Sequence, residues 1–328
     1  MLGLFSKERR AARRAQKRDA ALIGPDVAPV LARAQQGDVT GLHQLLLAIR
    51  EGEWSDRAVF LATIAARTPR TALDAWCTRE PNGALPFLVR GSQGIDWAWE
   101  ARGLGAAKDV PAPAQASFVQ RLRRAESDLH RAVQLDPQDP TAAALLVTVA
   151  RGLGQPPEHA RSLFDAAVRR EPDNLAAHLA MLAYLSQEWH GSHAQMFALA
   201  RETRARVPPW SDLASLVLVA HVEQWRWHAV VEGNAAAAQA YVTSPDVGAE
   251  VVDAWEGSLG SPAARTRRAT AVMRNYAAFL LYLMKDRDRV LHELQRVGGA
   301  YTDVPWRYQG EPADAYEAAA AWAGVKLP

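Results

Sequence analysis

The chain of 328 residues is poor in lysine, nearly free of cysteine and without a long apolar run. Only Lys7, Lys17, Lys108, Lys285 and Lys326 are lysines, so arginine supplies almost all of the positive charge. Beside so much alanine, that bias reads as a GC-rich coding composition rather than as selection for phosphate-binding guanidiniums. Cys77 is the single cysteine, which excludes an internal disulfide and a thiolate metal cage and fits a reducing cytoplasm. No stretch reaches the roughly 18 apolar residues that a membrane-spanning helix needs. In MLGLFSKERRAARRAQKRDA the apolar residues precede the charges, the reverse of a secretory signal.

Enzyme signatures are also missing. His292-Glu293 begins a zinc-protease pattern, but its fifth residue is Arg296 instead of histidine. Neither a Gly-x-Ser-x-Gly elbow nor a phosphate loop is present. Cys77 lies beside Trp76 in a helical stretch, where a buried thiol is expected rather than a nucleophile. Asp286 and Asp288 read as a solvated turn between helices. Nothing asks for a metal or a small-molecule cofactor.

What is present is helix. Hydrophobic residues make up 49% and charged residues 23%, enough for a sizeable core, and the net charge is only +2. Apolar residues recur every three or four positions, while alternating strands around Asn-Gly turns do not occur. The spacing predicts helices near 26–36, 38–50, 55–67, 70–79, 84–103, 114–135, 140–152, 157–170, 174–188, 192–206, 211–231, 234–242, 247–257, 262–284, 286–296 and 312–323. The segment 106–114 looks like an insertion.

The middle of the chain repeats itself. AVQLDPQDPTAA (132–143) aligns with AVRREPDNLAAH (167–178) at an offset of 35 residues, so that Pro137 falls on Pro172. Pro208 continues the series, and DAWCTREPNG (74–83) brings Pro81 into the same role. Ala125, Leu129 and Ala132 before Pro137 match Ala160, Phe164 and Ala167 before Pro172. Small alanines let paired helices approach, the larger side chain fills the gap between neighbours, and proline ends the helix. Asp139 and Asp173 stand where the next helix needs an N-cap. The duplicated ARGLG (101–105 and 150–154) falls at helix ends, where glycine is favoured, and follows no strand that would make it a nucleotide loop.

These positions and the period resemble the second helix of the tetratricopeptide repeat, about 34 residues long. The fold expected is all-α, a tetratricopeptide-like right-handed helical-repeat array or α-α superhelix. Its domain would run 21–328, with the clearest repeats at 114–210, behind a basic tail at 1–20. WHGSHAQMFALAR, DWAWEARG (96–103) and LHRAVQLDP also resemble an uncharacterised bacterial family, domain of unknown function 4034, over roughly residues 70–300. In that family's pattern the turn reads Trp-Gly-Gly-Ser; here His190 replaces the first glycine. The resemblance implies the helical-repeat fold and carries no activity with it.

QEWHGSHAQM (187–196) pairs a tryptophan with two histidines three apart. A metal site needs three or more ligands, and His221 and Glu223 would join His190 and His193 only if folding brought them close. The reading preferred is a turn: the preceding helix ends near Trp189, Gly191 breaks it, and Ser192 caps the next.

In a tetratricopeptide-like array the first helices of each pair line a concave groove. Those positions are Thr141, Ala144, Thr148 and Arg151, then Ala176, Leu179, Ala183 and Gln187. They are mostly small and neutral and lack the Lys, Arg and Asn set with which tetratricopeptide domains clamp a C-terminal carboxylate, so a groove for an apolar helix or peptide is expected. Tryptophans cluster at Trp97 with Trp99, Trp225 with Trp227, and Trp306 beside Tyr308. Residues two apart on a helix face different ways, so one ring of each helical pair is expected near the surface. Exposed Trp beside Arg is the usual composition of a binding hot spot, which singles out Trp99, Arg102, Trp225 and Arg226. The competing reading packs all of these between repeats.

Residues 1–20 carry seven Lys/Arg against Glu8 and Asp19, a net of +5. Arg9, Arg10, Arg13, Arg14, Lys17 and Arg18 would form a basic face with Leu2, Leu4 and Phe5 at its tip. Such a segment suits an anionic membrane surface or nucleic acid, or is a disordered solubilising tail. The expectation is therefore a cytoplasmic, non-enzymatic scaffold or adaptor that binds a protein or peptide. Peripheral membrane or nucleic-acid association through residues 1–20 is the first alternative, and an unrecognised α-helical enzyme the second.

Overall fold

The three- and four-residue spacing of apolar side chains becomes helix through most of the described residues. The computed structural model describes residues 14–15, 17–24, 27–49, 53–103 and 110–327. Among these no strand is present. The N-terminal third holds α1 (17–23), α2 (Ala28–Gln35), α3 (Thr40–Ala48), α4 (Trp54–Arg67), α5 (Arg70–Arg79) and α6 (Ala84–Arg102). The repeats follow as α7 (Ala112–Leu135), α8 (Pro140–Leu153), α9 (Pro157–Arg170), α10 (Leu175–Tyr184) and α11 (His193–Arg206). The chain closes with α12 (Leu216–Arg226), α13 (Ala235–Val242), α14 (Pro245–Glu256), α15 (Arg268–Leu283), α16 (Arg287–Val297) and α17 (Pro312–Ala323). None of the helices is long and apolar enough to cross a membrane, among the described residues.

The repeat signature has the packing its spacing implied. Ala125, Leu129 and Ala132 on α7 are buried, as are Ala160, Phe164 and Ala167 on α9. The α9 set joins Val147 and Ala150 of α8 and Met181 and Tyr184 of α10 in a core of its own. Asp139 caps α8 by accepting from the Thr141 N–H at 2.9 Å. Gly103 and Gly154, the stops of the two ARGLG copies, take positive φ of 75° and 67°, where a side chain would be strained.

Several boundaries move, each for a tertiary reason. Asn174, not Asp173, caps α10, accepting from Ala177 N–H at 2.8 Å; it is the residue 35 positions after Asp139. Helix α7 begins at Ala112, inside the segment read as an insertion, with Pro113 in its first turn; residues 106–109 of that segment lie outside the described residues. Helix α15 begins at Arg268 instead of 262. Asp56 of α4 accepts from the Ala269 N–H at 2.8 Å, so the cap comes from a distant helix, while Arg267 is drawn away to buried Asp212 at 2.8 Å. The span read as one helix over 211–231 is a 3₁₀ turn at Asp212–Ser215, then α12, then a π-helical turn at Trp227–Val231.

The largest departure from the expected open array is α4. It packs against α6, α8, α10 and α15, so a helix far from the repeats in sequence lies on their inner side. Ser55 accepts from Leu175 N–H at 3.1 Å, and Arg57 pairs with Asp139 at 3.0 Å. Thr141 and Ala144 are consequently buried instead of lining a groove. Farther along the same helices Thr148, Arg151 and Ala183 are half-buried, and Gln187 in the turn after α10 is exposed. One half of the concave face is filled by the chain itself, and the other half is only partly covered.

Part of the segment read as a basic tail at 1–20 is described. Residues 17–20 belong to α1, and Arg18 pairs with Asp303 at 2.5 Å while its guanidinium sits 5.6 Å from the Tyr301 ring. Arg14 reaches Asp314 at 2.7 Å and Glu317 at 2.8 Å. These two arginines of the basic face join the chain's N-terminal and C-terminal regions. Arg9, Arg10 and Arg13 of that face lie outside the described residues.

Candidate binding site on the open concave face

The open half is built around two tryptophans. Trp99 and Arg102 lie three apart on α6, so they project from one face. The 187–196 stretch proves to be a turn, and its role is to deliver Trp189. Helix α10 stops at Tyr184, Gly191 passes so close to the Leu185 carbonyl oxygen that a methyl group would collide with it, and Ser192 caps α11. His190 holds the turn to α8 through Nε2 and the Arg151 carbonyl at 2.9 Å, with its ring 4.7 Å from that of Tyr184. Trp189 thereby meets Trp99 edge to face at 5.5 Å, and Phe118 closes the other side of Trp99 at 4.9 Å.

Two guanidiniums share this indole pair. Arg102 lies 5.4 Å from the Trp99 ring and 5.0 Å from the Trp189 ring. Arg151, from the last turn of α8, lies 4.9 Å and 5.1 Å from the same rings. Such cation–π contacts attract a guanidinium without neutralising it. Burial lowers the pKa of both arginines from the ordinary arginine value.

Beside this pair sits an ion network. Arg226 on α12 donates to Glu223 at 3.0 Å and to Glu188, and Tyr308 donates its hydroxyl proton to Glu223 at 3.0 Å. Burial opposes the Arg226 charge, but Glu223, Tyr308 and Glu188 together outweigh it and raise its pKa. Burial, with Glu223 adding to it, raises the pKa of the half-buried Tyr276 and Tyr308 phenols.

The four residues singled out from the sequence therefore have different fates. Trp99 is half-buried and belongs to the site. Arg102 is 7% exposed and fills the site's wall. Trp225, also 7% exposed, packs 5.3 Å from Phe279, and Arg226 is 8% exposed inside its carboxylate pair. The expectation that these side chains stand on a partner-facing surface is corrected for Arg102, Trp225 and Arg226. Their helical spacing was right, but the covering surfaces come from 184–190 and 279–308. Arg151 had entered only as one groove position among eight; nothing in its local sequence distinguishes it, because both of its indole neighbours are distant in the chain.

Asp96 and Glu100 project from α6 as exposed acids. Asp96 is nonetheless crowded: desolvation first, then the like charges of Glu100 and Asp303, raise its pKa to about 7 against the opposing pull of Arg307. An unfolded aspartate titrates near 3.9, so between about pH 4 and 7 the folded chain keeps a proton that the unfolded chain has lost. Stability contributed by this proton falls as pH rises through that window. Asp96→Asn is expected to leave the thermal midpoint unchanged at pH 4 and raise it at pH 8. An identical pH profile for variant and wild type would show that Asp96 is fully solvated.

Other candidates for chemistry take structural places. His193 packs against Trp227 at 5.9 Å and His228 at 6.4 Å. Among the described residues no three His, Cys, Asp or Glu side chains are placed to hold a metal ion. Cys77 is buried, and desolvation moves its thiol up to about 11, so little thiolate is present at neutral pH. No family model, no curated protein and no solved structure matches this chain.

Proposed function

We propose that the chain is a non-enzymatic, cytoplasmic binding protein that receives a segment of another protein on the open half of its concave face. One observation carries the reading. Helix α4 covers the face beside Thr141 and Ala144, whereas farther along the same helices Thr148, Arg151 and Ala183 are only half-buried, and Gln187 in the turn after α10 is exposed. Aromatic and arginine side chains concentrated at such an opening are the composition of contact hot spots. The alternative of membrane or nucleic-acid binding through residues 1–20 draws no support from Arg14 and Arg18, whose charges are paired within the fold. A place beside the domain of unknown function 4034 family is part of the same proposal.

Photo-crosslinking tests it. Cys77 is buried, so a benzophenone attached through Gln187→Cys reports on the concave face, and one attached through Arg169→Cys reports on exposed α9. In extract of the cells that make the protein, a defined partner is expected to crosslink from position 187 and not from 169. Equal crosslinking from both, or none from 187, overturns the reading.

A further inference from the structure

Arg151 differs from four enclosed arginines that each have an acid partner. Arg57 meets Asp139, Arg226 meets Glu188 and Glu223, Arg267 meets Asp212, and Arg274 meets Glu293. The Arg151 guanidinium makes no hydrogen bond or ion pair among the described residues, and its Nε is buried without an acceptor. Its ring contacts are Trp99 and Trp189, which leave the N–H edge as the free chemistry. The carboxylates whose charges act on it, Glu223 and Glu188, are both engaged by Arg226. A cation held this way bears the cost of desolvation without the compensation of a partner.

We infer that Arg151, between Trp99 and Trp189, is the anchor for a single carboxylate on the peptide segment bound at the open concave face. A guanidinium edge presents parallel N–H donors that match the two oxygens of a planar carboxylate, and such bidentate bonds are stronger than neutral ones. The indoles position the guanidinium by its ring contacts, so the donors are oriented before the ligand arrives. The inference rests on the concave-face reading for the identity of the ligand as peptide, and on Arg151 alone for its charge.

The test uses the full chain with labelled tryptophan indole N–H groups observed by NMR, the Trp99 and Trp189 resonances being assigned by their replacement with Phe. Acetyl- and amide-capped Gly-Glu-Gly, its Gly-Gln-Gly counterpart and inorganic phosphate are titrated separately. The glutamate peptide is expected to shift both resonances saturably, and the glutamine peptide is not. Arg151→Gln should weaken the response by about tenfold or more, while Arg151→Lys, which keeps the charge and loses the fork, retains an intermediate affinity. The nine other indole resonances of the eleven tryptophans report whether each variant is folded. Shifts that survive Arg151→Gln, equal shifts with Gly-Gln-Gly, no shift with the glutamate peptide, or shifts with phosphate alone each overturn the inference. A partner that crosslinks from position 187 while Arg151→Gln leaves the peptide titration unchanged would retain the binding face and remove the carboxylate anchor. The converse result would keep the anchor and remove the protein partner.

Discussion

Replacing Glu293 with Ala is expected to lower the unfolding free energy by about 3–5 kcal/mol. Glu293 is fully buried on α16 and receives Arg274 Nη1 of α15 at 2.8 Å and 3.0 Å on its two oxygens. The Trp255 indole N–H donates to the same carboxylate at 2.9 Å. Removing the acid strands the Arg274 charge where only 5% of its side chain is exposed. The cost is that of an uncompensated buried ion, which exceeds the net value of the pair itself. The double variant Glu293→Leu with Arg274→Met should therefore recover most of the loss, since neither charge remains to be solvated. Urea unfolding followed by circular dichroism measures both. A single-variant loss below about 1 kcal/mol, the range of a solvent-exposed pair, would show that water reaches this site.

Arg57→Ala is expected to have an effect of similar size, about 3–5 kcal/mol, and to localise it. Arg57 on α4 and Asp139 at the start of α8 each expose only 6% of their side chains. Asp139 also accepts from Thr141 N–H, so losing its cation disturbs a helix cap and a helix–helix contact together. Hydrogen exchange should accelerate most in residues 54–60 and 140–146, because these lie where α4 covers the repeats, and least in α17. Uniform acceleration would mean that α4 is no more than one element of a single cooperative core. Local acceleration would show that the covered half of the concave face can be uncovered at modest cost.

The two expectations rest on contacts that no periodicity reveals. Ala125, Leu129 and Ala132, with Ala160, Phe164 and Ala167, were legible because a helix face repeats every three to four residues and burial follows that spacing. The Asp139 cap and the Gly103 and Gly154 stops were legible because capping is a property of a few adjacent residues. The 187–196 turn was legible for the same reason, although the helix before it ends sooner than its apolar pattern suggests.

Trp225, Arg226 and Arg102 show the boundary of that reasoning. Spacing indicates that neighbouring side chains face different directions; it does not indicate which direction another segment will cover. Phe279 covers Trp225, and Glu188 and Glu223 engage Arg226. The inner placement of α4, and the pairing of Arg14 with Asp314 across 300 positions, belong to the same class.

By itself, then, the sequence determined the helical class, most helix boundaries, the repeat register and the alanine-lined contacts between adjacent helices. All of these depend on interactions within one helix or between consecutive ones. Only the tertiary structure decided which half of the concave face is occupied, which arginines have partners, and that Arg151 meets two tryptophans and, among the described residues, no acid. Those outcomes depend on which distant surfaces fit together, and the free energy of that fit is shared across α4, α6, α8, α10, α12 and α15 rather than encoded in any one stretch.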